Sequence, residues 1–215
     1  MAKNSNSQYA CMKIISPYRT AHKSRTIDTI TIHTMAGNLS IESCGKLFQR
    51  KGKNASSNYG IGSDGRIAIY VEEKDASWCS SNTPNDERAI TIEVANDGGK
   101  ETGWHISNEA MTSLIMLLVD ICKRNNISKL LWKNDPSLIG DIKKQNMTVH
   151  RWFANKSCPG DYLMSKMCYI TEEVNMSLHK PLYRVQVGAF SSYDNALKCQ
   201  QTLKSRGIES IIKEY

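Results

Sequence analysis

Between Thr148 and Asp161 the chain runs from a strand-like segment into His150, crosses a polar loop and reaches Cys158 eight residues on. Pro159 follows at once and keeps Cys158 out of the helical region, in an extended conformation. No other stretch constrains the fold as much. An imidazole and a thiol on a stiffened loop suit a metal, whose geometry tolerates little drift. Two donors do not close a site, so the fold has to bring a third from a distant part of the chain.

The best third donor is His33. Ile30 and Ile32 alternate with Thr29, Thr31 and His33, the period-two pattern of a half-buried strand with His33 near the end of its polar face. Two imidazoles and one thiolate leave a tetrahedral Zn2+ with an open fourth position, the arrangement of a catalytic centre with about one ion per chain. Taken singly, each residue is better read as a satisfied core histidine or a small buried thiol. Two partners reverse that balance. Ile90, Ile92 and Val94 alternate with Thr91, Glu93 and Ala95, which makes a second strand with Glu93 facing away from the apolar stripe. A carboxylate beside an activated water can act as general base. Lys156, two residues before Cys158, offers an ammonium to an oxyanion developing at a carbonyl. Alone, Glu93 would read as a surface glutamate and Lys156 as a loop lysine.

The order His33, Glu93, His150, Lys156, Cys158 resembles the zinc-dependent N-acetylmuramoyl-L-alanine amidases of type 2, a family that includes phage endolysins and the peptidoglycan recognition proteins. The likeness runs from about Thr26 to Asp161 and is carried by residues 32–34, 55–65, 92–93, 150–152 and 158–161. It implies hydrolysis of the amide between N-acetylmuramic acid and L-alanine in bacterial peptidoglycan. His33, His150 and Cys158 would then hold zinc, Glu93 would be the general base and Lys156 the oxyanion donor. Some members carry a tyrosine just before a histidine on the strand leading to the turn at Asp64 and Gly65. Ser57 and Asn58 stand there in this chain, with Tyr59 one place beyond, so the base role falls to Glu93 alone. Trp78, Asn82, Tyr59 and Trp152 are candidate substrate contacts, although Trp78 taken alone reads better as a packing anchor.

Three other chemistries compete. A noncatalytic wall-recognition module of the same fold would need none of Cys158, Glu93 and Lys156. A blue-copper carrier could use Met164 beside two histidines and a cysteine, but leaves Glu93 and Lys156 without purpose. A cysteine protease using Cys158 and His150 leaves His33 unexplained.

Composition narrows the setting. No apolar run approaches the roughly 18 residues of a membrane span, so membrane insertion is not expected. The polar N-terminus lacks the apolar core of a signal peptide, which points to synthesis in the cytoplasm and action on the wall after release. There are 7 cysteines and no Cys-x-x-Cys, against a zinc ribbon or a thioredoxin-like motif. Cys11, Cys44, Cys79, Cys122, Cys168 and Cys199 read as reduced core or surface thiols. The net charge of +7 has its densest patch at residues 50–53, too short for a nucleic-acid binder.

The element pattern predicts an α/β fold, a mixed β-sheet flanked by helices, over a catalytic domain of residues 1–179. A helix at 40–50 is capped by Ser40, with Ile41, Cys44, Leu47 and Phe48 inward. A hairpin spans 57–71, and the strongest helix spans 107–124 with Met111, Leu114, Leu118, Ile121 and Cys122 on one stripe. A short helix is expected at 137–145, and another at 161–179 with a break near Cys168 and Tyr169. Residues 180–215 read as a small βαβ segment: strand 182–190, helix 191–206, then strand 208–213. This segment resembles the first half of a SPOR domain, whose βαββαβ fold binds peptidoglycan glycan strands; residues 185–190 carry the likeness. The missing half leaves two expectations: a homodimer through residues 181–215, completing one sheet between two copies, or a natural chain that continues beyond Tyr215.

Overall fold

Period-two alternation builds the centre of the molecule. Among the described residues eight strands follow one another: β1 (Met12–Lys13), β2 (Arg19–Thr20), β3 (Thr29–Thr34), β4 (Tyr59–Ile61), β5 (Ile67–Ile69), β6 (Ala76–Ser77), β7 (Ala89–Val94) and β8 (Met147–Val149). Six of them form a mixed sheet in the order β1-β5-β4-β7-β3-β8, while β2 and β6 pair as a separate antiparallel ribbon. The helices are α1 (Ile41–Gln49), α2 (Thr83–Asp86), α3 (Asn108–Arg124), α4 (Asp161–Leu178) and α5 (Tyr193–Ser205). The computed structural model describes residues 5–179 and 186–214, and the chain divides into two compact units, Met1–His179 and Lys180–Tyr215.

Helices cover both faces of the sheet. Ile30, Ile32, Ile90 and Ile92 pack with Leu114, Leu118 and Ile121 of α3 and with Leu163, Met167 and Ile170 of α4. The opposite side has a smaller cluster in which Ile41, Cys44 and Phe48 of α1 meet Met35, Ala68, Tyr70 and Ala95. At Gly60 an added Cβ would lie 2.4 Å from the Tyr70 ring, so only glycine fits there. The cap expected at Ser40 is formed, and Ser107 caps α3 in the same way. Ser40 accepts a hydrogen bond from the backbone N–H of Ser43, and Ser107 accepts one from that of Ala110.

Burial departs from the half-buried strand expected for β3. Its polar face is buried as well, and His33 is 0% exposed. The segment between β6 and β7 lies over that face and satisfies it. Ser77 and Thr91 share a hydroxyl hydrogen bond of 2.7 Å, and Thr31 and Thr148 share one of 2.8 Å. The Asn85 amide donates to Thr31 Oγ1 and accepts from Thr148 Oγ1, while Asn58 accepts from the Thr91 N–H and hydroxyl. A ladder of satisfied polar groups thus crosses the sheet where an exposed face was expected.

Three further expectations need correction. Residues 137–145 form only a 3-10 turn at Pro136–Leu138 followed by irregular turns. Ile139 and Ile142 stay more than a third exposed there, so no apolar stripe anchors a helix, and Gly140 takes φ +92. Helix α4 runs unbroken through Cys168 and Tyr169, because Leu163, Met167, Ile170 and Val174 form a continuous buried stripe. In the second unit α5 forms as expected, but residues 186–190 and 208–214 are not strands. A strand requires a neighbour to pair with, and a segment this short offers too few. The start of the first expected strand, 182–185, lies outside the described residues.

Candidate active site and metal centre

The ladder of hydroxyls fixes the site, because side chains two residues apart on a strand share a face. One step beyond Thr31, Thr91 and Thr148 stand His33, Glu93 and His150. His33 and Glu93 are direct register partners across β3 and β7. His150 begins a 3-10 turn (His150–Trp152) immediately after β8, and its ring lies 5.0 Å from that of His33 between centroids. Ser77 stepping to Cys79 follows the same logic: the Cys79 thiol lies 4.0 Å from Glu93 Oε1. Four segments therefore deliver a row of Cys79, Glu93, His33 and His150.

Cys158 closes the row from the loop before α4. Its sulfur lies 3.5 Å from His33 Nδ1 and accepts a hydrogen bond from the Thr34 N–H at 3.3 Å. Arg151 ties this loop down: its guanidinium donates to the Ser157 carbonyl and to Asp161 Oδ1, and its backbone N–H donates to the Cys158 carbonyl. The Cys158–Pro159 peptide is cis. Gly160 follows at φ +88, and a Cβ there would lie 2.7 Å from that of Trp104.

Cys79, Glu93, His150 and Cys158 line an open cleft of about 750 Å³ together with Lys53, Trp78, Asn82, Trp104 and Lys156, while His33 is fully buried and does not line it. Burial, and then the neighbouring His150, hold the His33 imidazole down at about 3, so it is neutral. Burial, and then the Lys156 charge, lower His150 too. Burial pushes the Cys158 thiol well up, reinforced by Glu93, and lifts the Glu93 carboxyl to about 8. Two buried atoms of the row have no hydrogen-bond partner, His33 Nε2 and Glu93 Oε2. Such orphans are few in native proteins and call for an explanation, an ion among them. The ligand atoms of His33, His150 and Cys158 all lie within 4.8 Å of one another. Two neutral imidazoles and a thiol suit a thiophilic divalent cation, which would displace the thiol proton on binding.

Placement sorts the remaining candidates. Lys156, Trp78 and Asn82 line the cleft. Trp78 is 42% exposed and also packs on Tyr18, with its indole N–H donating to Thr20 Oγ1. Asn82 caps α2. Tyr59 is fully buried and donates to Glu73, and Trp152 stacks on Trp132 at 5.1 Å; neither is among the cleft-lining residues. Ser57 and Asn58 are buried in backbone-satisfying hydrogen bonds. Cys79, read from sequence as a core or surface thiol, is buried and also lines the cleft, and Trp104 was not singled out. The signal for Cys79 was its two-residue step from Ser77; Trp104, at φ +66, carried none.

A cleft lined by an imidazole, a thiol and a carboxylate suits hydrolytic chemistry. The comparisons name the bond. Residues 23–161 match the Amidase_2 family, N-acetylmuramoyl-L-alanine amidase, and residues 169–214 match the SPOR domain. The chain belongs to the N-acetylmuramoyl-L-alanine amidase family, and it is an enzyme of that activity. Both matched domains imply peptidoglycan as the partner. Among solved structures the chain is similar to AmpD, with TM-score 0.57 and 16% identity over 80% of this chain and 99% of that one. It is also similar to an endolysin from Bacillus subtilis, solved as a mutant, with TM-score 0.56 and 13% identity over 77% and 99%. For PlyL the values are 0.53 and 14% over 76% and 95%. At these identities the likeness concerns the fold. The curated proteins contain no match. No helix of the described residues is long and apolar enough to cross a membrane.

Proposed function

We propose that the chain is a zinc-dependent amidase of the endolysin type, cutting between N-acetylmuramic acid and L-alanine with His33, His150 and Cys158 as metal ligands. The observation that carries this reading is the register pairing of Glu93 with the buried His33, beside two further donors that line an open cleft. When bound, zinc supplies Lewis acidity toward the scissile carbonyl and toward an attacking water. Glu93 accepts the proton of that water and passes it to the leaving amine. Burial makes this carboxylate a strong proton acceptor once a neighbouring cation keeps it ionised. Lys156, on the cleft wall, donates to the oxygen that gains charge as the carbonyl is attacked. Trp78 and Asn82 contact the substrate along the cleft, and the Lys180–Tyr215 unit binds the wall.

The endolysin role is supported by an endolysin among the similar folds. Self-association through residues 181–215 is part of the proposal. No described residue from 186 to 214 is buried, and Val187, Phe190, Tyr193 and Ile211 present apolar side chains to solvent. Light scattering of the full chain should give a dimer, and a chain ending at residue 180 a monomer. Digestion of purified cell walls tests the chemistry: new N-terminal L-alanine should appear without new reducing ends, and removal of zinc by a chelator should stop it. Reducing ends would mark a glycosidase; binding without cleavage would mark a recognition module.

A further inference from the structure

His33 occupies the middle of the row, with donors on both sides. Toward β8 stand His150 and Cys158. Toward β4 and β6 stand Glu93 and Cys79, and the ligand atoms of His33, Cys79 and Glu93 also lie within 4.8 Å of one another. Cys79 is buried, yet both it and Glu93 line the cleft, so a cation entering by the cleft reaches them. The orphaned Glu93 Oε2 and His33 Nε2 are the atoms of this inner trio without a hydrogen-bond partner. Nothing in the amidase reaction calls for a thiol beside the general base.

We propose that Cys79, Glu93 and His33 form a second, alternative position for a thiophilic divalent cation, sharing His33 with the position formed by His150 and Cys158. Sulfur, oxygen and nitrogen from three protein groups match the donor number of a tetrahedral zinc position with one place open. Charge favours the inner trio in a buried setting. A thiolate and a carboxylate neutralise a divalent cation, whereas one thiolate leaves a net positive charge to be buried. A cation held there takes Glu93 as a ligand and withdraws the carboxylate from proton transfer. The inner position is therefore a resting, inactive placement of the metal. The inactive role rests on the proposed function of Glu93, whereas the inner trio itself does not depend on the outer set being the catalytic one.

Cobalt(II) tests the proposal by spectroscopy, because a thiolate ligand gives a near-ultraviolet charge-transfer band that imidazole and carboxylate do not. The full-length protein is stripped of metal, loaded with cobalt(II) and compared with Cys158→Ser, Cys79→Ser and the double variant, each checked for native circular dichroism. The inner position predicts that Cys158→Ser still binds cobalt and keeps a thiolate band, and that the double variant loses the band. Cys158→Ala serves in place of Cys158→Ser if the latter fails to fold. Cobalt bound to the Cys158 variant without a thiolate band overturns the proposal. So does a band that survives in the double variant, since its thiolate would then come from elsewhere. Loss of the band in Cys79→Ser alone would instead remove Cys158 from the outer set, so failure of the proposed catalytic site is read separately.

Discussion

The His33 imidazole is the one group common to both proposed donor sets. His33→Ala should therefore abolish tight metal binding altogether, whereas loss of His150 or Cys158 alone should weaken it; metal analysis after gel filtration measures the difference. Full zinc content in His33→Ala would contradict both sets at once. Glu93→Gln keeps the shape of the side chain and the His33, His150 and Cys158 donors, but removes the proton acceptor. We expect zinc retained and turnover reduced about 100- to 10,000-fold, the usual scale for a general base. A fully active Glu93→Gln would end the base assignment. Lys156→Ala should lower turnover about 100- to 1,000-fold with metal unchanged, as for a single oxyanion donor. A rise in KM alone would instead make Lys156 a binding residue.

At the scale of elements, the site depends on three parallel strands, β7, β3 and β8, advancing in register, so that every two-residue step produces another row. The alternation in β3 and β7 was readable from sequence, and with it the faces of His33 and Glu93. The burial of those faces was not. It depends on Asn58 and Asn85, which reach Thr91, Thr31 and Thr148 from segments 33 to 63 residues away in sequence. Cys79 was hidden for the same reason, since its distance to Glu93 follows from a hydroxyl pair between β6 and β7. Helix caps are local and were legible: Ser107 was placed at the start of α3. Its hydroxyl also donates to the Ser63 carbonyl at 2.6 Å, so the cap clamps the β4–β5 turn to the helix. Ser107→Ala should cost about 1 kcal/mol for the lost cap, measured by urea denaturation. No change in midpoint would show that water replaces the hydroxyl.

For the whole molecule, the question is what each unit does without the other. Every residue of the cleft belongs to the Met1–His179 unit. That unit also has its own buried clamp: Arg124 of α3 donates to both oxygens of Glu73, at 2.8 and 2.6 Å, and also to the Ser5 carbonyl, while Tyr59 donates to Glu73. The Lys180–Tyr215 unit has no buried residue among those described. Ending the chain at His179 should thus leave the catalytic unit folded, with the thermal midpoint of its transition unchanged. Hydrolysis of a small soluble muropeptide, which needs only the cleft, should proceed at the rate of the full chain. Cosedimentation with purified sacculi should fall, because a polymeric substrate rewards two linked binding units and the shortened chain offers one. Cleavage of intact wall should fall with it. If the shortened chain sediments as well as the full one, residues 180–215 do not bind the wall, and the match to the SPOR domain must serve another partner.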